Sequence, residues 1–484
     1  MSILRRLGSF AALVVGGSSA LGCLLPEYIE AAGVCEPGKT WALGFGSLID
    51  DTVKAASSDV CGGVTVGGSF QDYVDFGLDD ELKASGDHDG FVARFDSIGK
   101  PVWAAQFGGA GDQFISSLTT DIFGGAIAAG NFTGSLELPG RDPVNIPAGH
   151  QAAFVTRLEL HGRHHWTRAL REETGMTPPT VCGVAVDRSG NVTVAGDFTG
   201  TVDFGGKTET GKFAENIFVA HYDPDGELLW TRSFQTEKGV TCSDLAADKD
   251  GNILMTGSYR STIDFGEGPH EGPQADVMEG SRFFVLKLNS AGAREWSQGT
   301  NSGNYQYGLA ITTDADGNVI VAGTYYDSVP LGGMEAFSNG DTDIFIKKLG
   351  PSGTSLWGAK FGDMSTDTVS AVAVGPSGEV FLQGETQGTI TFDQPLTAVP
   401  DADAMAVTDP FIAKLNGLNG TPVSSWMFHG PSNEYVTGLA LDPQGIPIIA
   451  GTFGTTIDLG QPLGVLTSKP KSTGEDFFVA KLKL

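Results

Sequence analysis

The amino-acid sequence predicts an all-β fold, a seven-bladed β-propeller with four antiparallel strands in each blade. Three observations lead to it: evenly spaced tryptophans, other landmarks in the same phase, and chain ends that each carry part of a repeat. The chain has 484 residues and 7 tryptophans, and successive tryptophans lie 61 to 69 residues apart. They are Trp41, Trp103, Trp166, Trp230, Trp296, Trp357 and Trp426.

Two further landmarks keep the phase of the tryptophans. A glycine that mostly follows an apolar strand recurs at Gly68, Gly130, Gly196, Gly257, Gly323, Gly384 and Gly451. A phenylalanine that opens a Phe-Val/Ile-x-basic pattern recurs at Phe91, Phe154, Phe218, Phe284, Phe345, Phe411 and Phe478.

One repeat divides into four strands, A to D, with tight turns after A and after C. Asp187-Arg-Ser-Gly190 exemplifies the A–B turn and Asp223-Pro-Asp-Gly226 the C–D turn. In such turns Asp bonds its own backbone and Gly adopts a positive φ. The B–C stretch is long and variable, and strand D carries the tryptophan. Blade 1 departs from the pattern, because residues 57–63 lack the Asp-x-x-Gly-Asn turn, so the pattern defines its A strand less clearly than the other six.

The chain ends predict a closed ring. The chain begins with a D strand around Trp41 and ends on a C strand over residues 478–484, so the last unit lacks a D strand of its own. Pairing these two strands completes a blade and removes free sheet edges. A linear solenoid is the alternative, but its end repeats would be polar caps.

The repeat resembles the bacterial seven-bladed β-propeller repeat family. The resemblance rests on Trp103-Ala-Ala-Gln-Phe-Gly-Gly109 and on Val184-Ala-Val-Asp-Arg-Ser-Gly-Asn-Val-Thr-Val-Ala-Gly196, and the pattern covers residues 41–484. It implies the fold. It implies no chemistry, since that family has no shared catalytic residues.

The N-terminus has the features of an export signal. Arg5 and Arg6 precede an apolar stretch over residues 7–15 that is too short to span a bilayer. Ala20-Leu21-Gly22-Cys23 follows and resembles the lipobox of bacterial lipoproteins, although Ala20 stands where Leu is usual. The resemblance implies that Cys23 is lipidated.

The predicted domains are a signal peptide over residues 1–22, a tether over 23–40 and the propeller over 41–484. The protein is then exported and lipid-anchored, in a bacterial cell envelope or on the outer membrane surface. Ordinary signal-peptidase cleavage and secretion is the alternative. The net charge of −28 repels phosphates and anionic headgroups, so we expect no nucleic-acid partner and membrane contact only through the lipid.

The five cysteines have no metal-binding spacing, and we expect no metal and no cofactor. With Cys23 lipidated, an oxidising compartment would allow Cys35, Cys61, Cys182 and Cys242 to pair in ways that the sequence leaves open. Cys182 and Cys242 begin the A strands of blades 3 and 4, and a bond between them requires Cα atoms within about 7 Å. We favour free buried thiols for these two.

The connectivity separates the blade ends into two faces. The turn face carries the short A–B and C–D turns, and the loop face carries the longer B–C and D–A connections, where we expect binding. Exposed aromatic residues there could stack on sugar rings, although packing at strand ends is equally common. The candidates are Tyr305, Tyr307, Tyr325 and Tyr326 in blade 5.

Three other sets of residues favour structural roles over functional ones. A basic residue follows each recurrent phenylalanine by three positions, which indicates pairing or snorkelling between neighbouring blades rather than an anion site. Asp248-Lys-Asp-Gly-Asn252 and Asp314-Ala-Asp-Gly-Asn318 look like fragments of a Ca²⁺ loop, but they occupy the ordinary A–B turn. His161, His164 and His165 fall in the C–D turn of blade 2 and have no metal spacing.

Two function hypotheses remain. The first is a non-enzymatic exported surface scaffold that binds a protein or glycan through the loop face. The second is an extracellular lyase or hydrolase with its site at the channel mouth. No catalytic residue is predicted. A set of histidines and carboxylates that converge on the loop face would favour the enzyme.

Overall fold

The computed structural model describes residues 36, 38–138, 140–147, 150–174, 178–213, 215–273, 280–300, 305–399, 408–431, 434–469 and 474–483. In these residues all regular structure is β-strand, arranged as seven four-stranded antiparallel blades. No helix with the length and apolarity of a membrane span occurs in the same part of the chain.

The strands follow the predicted order in every blade. From blade 1 to blade 7, the A strands are Thr52–Ser58, Gln113–Thr120, Thr180–Val186, Val240–Ala247, Tyr305–Thr313, Asp367–Val374 and Tyr435–Leu441. The B strands are Val64–Phe70, Ala126–Thr133, Val192–Phe198, Ile253–Tyr259, Val319–Tyr326, Val380–Thr386 and Pro447–Phe453. The C strands are Asp89–Phe95, Gln151–Leu158, Asn216–Tyr222, Arg282–Leu288, Asp343–Leu349, Asp409–Leu415 and Asp476–Lys481. The D strands are Pro101–Phe107, His164–Glu172, Leu228–Gln235, Arg294–Gly299, Ser355–Phe361, Pro422–Met427 and, for blade 7, Trp41–Phe45.

Both chain ends build blade 7, which confirms the predicted closure. Its D strand pairs antiparallel with its C strand, with Trp41 opposite Lys481 and Phe45 opposite Phe477. The A strand of blade 7 packs against that of blade 1, as the A strands of every other neighbouring pair do. The ring is therefore continuous, and its two ends are held by backbone hydrogen bonds.

Six of the seven recurrent tryptophans connect their blade to the next. Six indole N–H groups donate to a carbonyl oxygen in the C–D turn of the following blade, at 2.7–3.2 Å. The turn glycine lies against the indole: a Cβ at Gly99, where φ is +86°, would fall 2.6 Å from Trp41. The spacing of tryptophan and turn glycine therefore reflects a contact that is repeated from blade to blade.

A β-bulge in every A strand explains the recurrent glycine of strand B. A Cβ at any of those seven glycines would lie 1.8–2.0 Å from a carbonyl oxygen of the A strand, so a side chain has no room. Each bulge leaves one residue of the innermost strand outside the ladder. The bulged residues are Lys54, Ser116, Cys182, Ser243, Leu309, Ser370 and Thr437.

The basic residues of the C strands form ion pairs, which confirms the predicted pairing role. The partner lies in the same blade, however, and not in the neighbouring blade as predicted. Each carboxylate comes from the A–B turn of the same blade. The pairs are Arg94–Asp59, Arg157–Asp121, Lys287–Asp248, Lys348–Asp314 and Lys481–Asp442. In blade 6, Gly375 replaces the aspartate, and Glu379 supplies the carboxylate 3.2 Å from Lys414. In blade 3, His221 instead bonds Thr193 at 2.8 Å.

The A strand of blade 1 is as regular as the others, because its turn needs only the aspartate. Oδ1 of Asp59 accepts the backbone N–H groups of Cys61 at 2.8 Å and Gly63 at 3.0 Å. The absence of the final Asn therefore does not disturb the turn.

The preference for free thiols at Cys182 and Cys242 is wrong. The two form a disulfide, with Cα atoms 5.7 Å apart. The approach follows from the bulges: Cys182 is itself a bulged residue, and Cys242 lies just before the bulge of the next blade. The bond joins the innermost strands of blades 3 and 4. Cys61 is also disulfide-bonded, whereas Cys23 and Cys35 lie outside the described residues.

Removing the Cys182–Cys242 bond is expected to lower stability without changing the fold. The disulfide closes a loop of 60 residues, which the chain-entropy model values at about 4 kcal/mol and measurement at about 2–4 kcal/mol. Denaturant unfolding of Cys182→Ser/Cys242→Ser against wild type measures the loss. Non-reducing peptide mapping that finds both thiols free would contradict the assignment.

The long B–C stretches have a mainly structural role. In every blade they form a small two-stranded hairpin, as Thr201–Asp203 and Thr208–Thr210 do in blade 3. That hairpin pairs with the D strand of the preceding blade, with Val202 opposite Glu172, and Phe204 beside it is fully buried. Much of the length that suggested recognition therefore packs between blades.

Candidate functional site

A cavity of about 860 Å³ opens on the loop face, at the mouth of the ring where blades 7, 1 and 2 meet. Its lining includes the bulged residues Lys54 and Ser116, from the innermost strands of blades 1 and 2. Thr52 and Ser69 add hydroxyls, with their oxygens 3.1 Å apart. The volume lies within the range of small-molecule sites, roughly 300–1,000 Å³.

An aromatic side chain projects into this cavity. Phe114 is 39% exposed, although it is the second residue of Gln113–Thr120, the innermost strand of blade 2. Its ring lies 5.2 Å from the ring of His88, centroid to centroid. His88 is held by Asp112, with 3.0 Å between Nδ1 and Oδ1. The pair places an apolar ring and an oriented imidazole on one wall.

The opposite rim of the cavity is formed where Glu475 of blade 7 contacts the D–A connection between strands Trp41–Phe45 and Thr52–Ser58. Asp50 accepts the backbone N–H of Glu475 at 3.0 Å, and the N–H of Asp51 donates to the carbonyl of Glu475 at 2.9 Å. Gly474 allows this approach, since a Cβ there would fall 2.4 Å from Oδ1 of Asp50. Two carboxylates thus stand at the rim, and no described residue forms an ion pair with Lys54.

The predicted tyrosines divide between surface and core. Tyr305 begins an A strand and Tyr326 ends a B strand, so both lie at the loop face, and their rings are edge-to-face at 5.8 Å. Tyr326 is 48% exposed, and Tyr307 is half-buried. Tyr325 is fully buried, and its hydroxyl donates to the carbonyl of Phe337 at 3.3 Å. Tyr325 therefore offers no surface to a ligand.

The remaining sequence candidates do not converge. His164 and His165 belong to the D strand of blade 2 rather than to the turn before it, whereas His161 stays in that turn. His165 lies 3.5 Å from Asp225 of blade 3. Oδ1 of Asp248 accepts backbone N–H groups inside its own turn, as does that of Asp314. Within the described ranges, no group of three or more His, Cys, Asp or Glu side chains is arranged to hold a metal ion.

Several buried carboxyl groups near the blade boundaries have raised pKa values that sequence reasoning missed. Burial is the main cause in each. The pKa rises to about 7 at Asp51, Asp197, Asp244 and Glu385, and to about 6 at Asp367. Asp197 and Glu385 both follow a recurrent glycine directly, so the residue after that glycine was the available signal.

These groups predict that the protein is more stable at pH 5 than at pH 8. A carboxyl group whose pKa is higher in the folded state stabilises the fold at low pH, and this contribution is lost as pH rises from about 4 to 7. Glu385→Gln should therefore flatten the decline in melting temperature between pH 5 and pH 8. The exposed Glu237→Gln is the control, and equal slopes in all three proteins would refute the assignment.

The fold and the cavity together define a seven-bladed β-propeller with a mixed polar and aromatic cavity on its loop face. No family model matches the chain. Over 451 residues it is 24% identical to an uncharacterized WD repeat-containing protein of Acanthamoeba polyphaga mimivirus, covering 77% of this chain and 32% of the relative. Over 145 residues it is 24% identical to the regulatory protein FlaEY of Caulobacter vibrioides, covering 29% and 15%. The chain thus spans a third or less of the length of these relatives.

Solved structures align with the chain at low sequence identity. The WD40 domain of Neurospora crassa Pan2 aligns with a TM-score of 0.43 and 10% identity, over 91% of this chain and 96% of that one. Sqt1 from Chaetomium thermophilum aligns with a TM-score of 0.41 and 13% identity, over 85% and 97%.

Proposed function

We propose that the protein is a non-enzymatic, exported and lipid-anchored scaffold that binds a macromolecular ligand of the cell envelope through its loop face. The observation that carries the proposal is the cavity at the mouth of the ring, which combines an exposed aromatic ring with hydroxyl and charged groups. The turn face, by contrast, is built from repeated tight turns whose carboxylates are mostly engaged in ion pairs.

The course of the first described residues supports this arrangement. The N–H of Glu36 donates to Oγ of Ser97 at 2.7 Å, in a turn of the turn face, and the D strand Trp41–Phe45 then runs toward the loop face. An anchor attached N-terminal to Glu36 would hold the turn face toward the membrane. The loop face would then point away from it and be open to ligands. Cys23 and most of the tether lie outside the described residues.

The anchor has a direct test. If Cys23 carries the lipid, Cys23→Ser should move the protein from the membrane fraction to the soluble fraction and abolish labelling by radioactive fatty acid. Labelling that persists in this variant would show that the anchor lies elsewhere or is absent.

The binding face is tested by variants on opposite faces. Immobilised envelope polysaccharide and envelope protein fractions should capture the wild-type propeller. Phe114→Ala or Tyr305→Ala/Tyr326→Ala, on the loop face, should reduce capture at least tenfold. Phe123→Ala, which removes a ring that is 55% exposed on the turn face of blade 2, is the matched control. Full capture by both loop-face variants would refute the proposal.

One observation favours an enzyme as the second candidate. The carboxylate of Asp112 orients the imidazole of His88 at the cavity, as a general acid or base requires. On this hypothesis the protein cleaves the ligand that it binds, and His88→Gln lowers turnover far more than it lowers binding. Incubation of the wild type with envelope polysaccharide, followed by measurement of new chain ends, distinguishes the two. No new ends would leave the scaffold as the function.

A further inference from the structure

The walls of the cavity come from segments that are far apart in sequence but fixed in space. Lys54 and Ser116 are the bulged residues of two adjacent innermost strands, and the hydrogen bond between Asp50 and Glu475 joins the two sides of the rim. The ladder residues on either side of each bulge, and the hydrogen bonds between residues 50–51 and Glu475, hold these four positions. The cavity is therefore pre-formed, which lowers the entropic cost of binding.

The aromatic wall calls for a ligand with an apolar face. Phe114 lines the cavity and is 39% exposed. Contact with His88 and the hydrogen bond from His88 to Asp112 hold this wall in place. Covering the ring would remove apolar area from water, at roughly 25 cal/mol per Å². A flat ligand with one apolar face fits this wall.

The other walls call for a ligand with many hydroxyl groups. Thr52, Ser69, Ser116 and Thr455 line the cavity, and each hydroxyl can both donate and accept a hydrogen bond. Asp50 and Glu475 accept only, and Lys54 donates only. A nucleobase or a peptide backbone would leave many of these groups unpaired, whereas the hydroxyls of a sugar can match donors and acceptors alike.

Charge selects among sugars. The lining has two carboxylates against one ammonium group, in a protein whose net charge is −28. Uronic acids, sulfated sugars and phosphorylated sugars would meet repulsion at the rim. The hydroxyls of a neutral sugar would accept a hydrogen bond from Lys54 and donate one to Asp50, without burying a further negative charge.

We propose that this cavity is a binding site for neutral pyranose units of a glycan, with one sugar ring stacked on Phe114 and its hydroxyls bonded to the surrounding side chains. The inference rests on the proposed function, because it names the ligand class of the loop face. It adds to the loop face a sugar site on blades 7, 1 and 2 that is separate from the tyrosines of blade 5.

The test uses the purified propeller with all its strands and four defined probes. Cellotriose, maltotriose and triacetylchitotriose are neutral, and trigalacturonate is acidic. Isothermal titration calorimetry and saturation-transfer NMR should detect saturable binding of at least one neutral trisaccharide, with magnetisation transferred to one face of a sugar ring. Trigalacturonate should bind at least tenfold more weakly.

Variants locate the ligand. Phe114→Ala should weaken binding at least tenfold and Thr52→Val several-fold, whereas the turn-face variant Phe123→Ala should bind as the wild type does. Circular dichroism melts verify that each variant is folded. Failure of all neutral probes to saturate, equal binding of trigalacturonate, or unchanged binding by Phe114→Ala would each overturn the inference.

The two proposals fail separately. If no trisaccharide binds but the tyrosine variant loses capture of envelope fractions, the sugar site is wrong and the loop-face scaffold stands. If the loop-face variants all retain capture, the proposed function itself is wrong.

Discussion

A chain that begins at Gly46 is expected to lose cooperative folding, whereas a chain that begins at Glu36 should melt as a folded protein. The deletion removes the D strand of blade 7 and with it Trp41 and Phe45, which are 9% and 8% exposed. Truncating one buried aromatic side chain to alanine costs about 3–5 kcal/mol. Two such losses approach the entire stability of a typical domain, about 5–15 kcal/mol.

The comparison of these two truncations isolates the strand, since both lack the first 35 residues. Circular dichroism melts and sedimentation provide the measurements. A point variant provides a second line: the ring of Phe45 lies 5.1–5.5 Å from those of Phe76, Phe95 and Phe477. Phe45→Ala should destabilise strongly and the exposed Phe123→Ala hardly at all. Superimposable melts of the two truncations would refute the importance of closure.

Lys348→Met is expected to destabilise the propeller by about 3–5 kcal/mol, because it leaves a buried carboxylate without its cation. Nζ of Lys348 lies 2.8 Å from Asp314, and both side chains are 7% exposed. The same ammonium group donates to the carbonyl of Gly417 in blade 6 at 2.9 Å. The substitution therefore breaks a contact within blade 5 and another between blades 5 and 6.

The electrostatic part of this loss has its own signature. Burial raises the pKa of Asp314, but hydrogen bonds from Lys348 and Asn318 outweigh it and hold the pKa below its usual value. That contribution is present above the unfolded pKa and disappears as pH falls through the folded one. Lys348→Met should therefore differ least from wild type in acid.

Two controls separate charge from packing in this experiment. Lys348→Met/Asp314→Asn should recover part of the loss, because no uncompensated charge remains. Lys249→Met breaks a solvent-exposed pair with Asp250 and should leave the melting temperature unchanged. A loss in Lys348→Met that is the same at every pH and is not relieved by Asp314→Asn would contradict the ion-pair explanation.

Most of the fold was predictable because its determinants are local and repeat seven times. A tryptophan and a turn glycine recur because blade after blade makes the same contact with the next. An A–B turn carboxylate recurs because it pairs with a basic residue of its own blade. The phase of these residues also gave the closure of the ring. The sequence marked the glycine of strand B without its reason, which is the bulge in the strand beside it.

The candidate site was far less predictable. The sequence directed attention to the tyrosines of blade 5, and the structure buries Tyr325 beneath that surface. Phe114, His88 and Lys54 carry no motif, and their roles depend on which bulge or connection they occupy. The same holds for Cys182 and Cys242, whose approach to 5.7 Å depends on the bulges of two neighbouring strands.

By itself, the sequence determined the number of blades, the order of their strands and the pairing of the two chain ends, since turn chemistry and side-chain alternation act over a few residues and repeat. Only the tertiary structure decided where a cavity forms, which thiols bond and which carboxylates hold their protons near pH 7. Asp50 and Glu475 are 425 residues apart along the chain and share a hydrogen bond. The closure of the ring creates that proximity, and no local pattern encodes it.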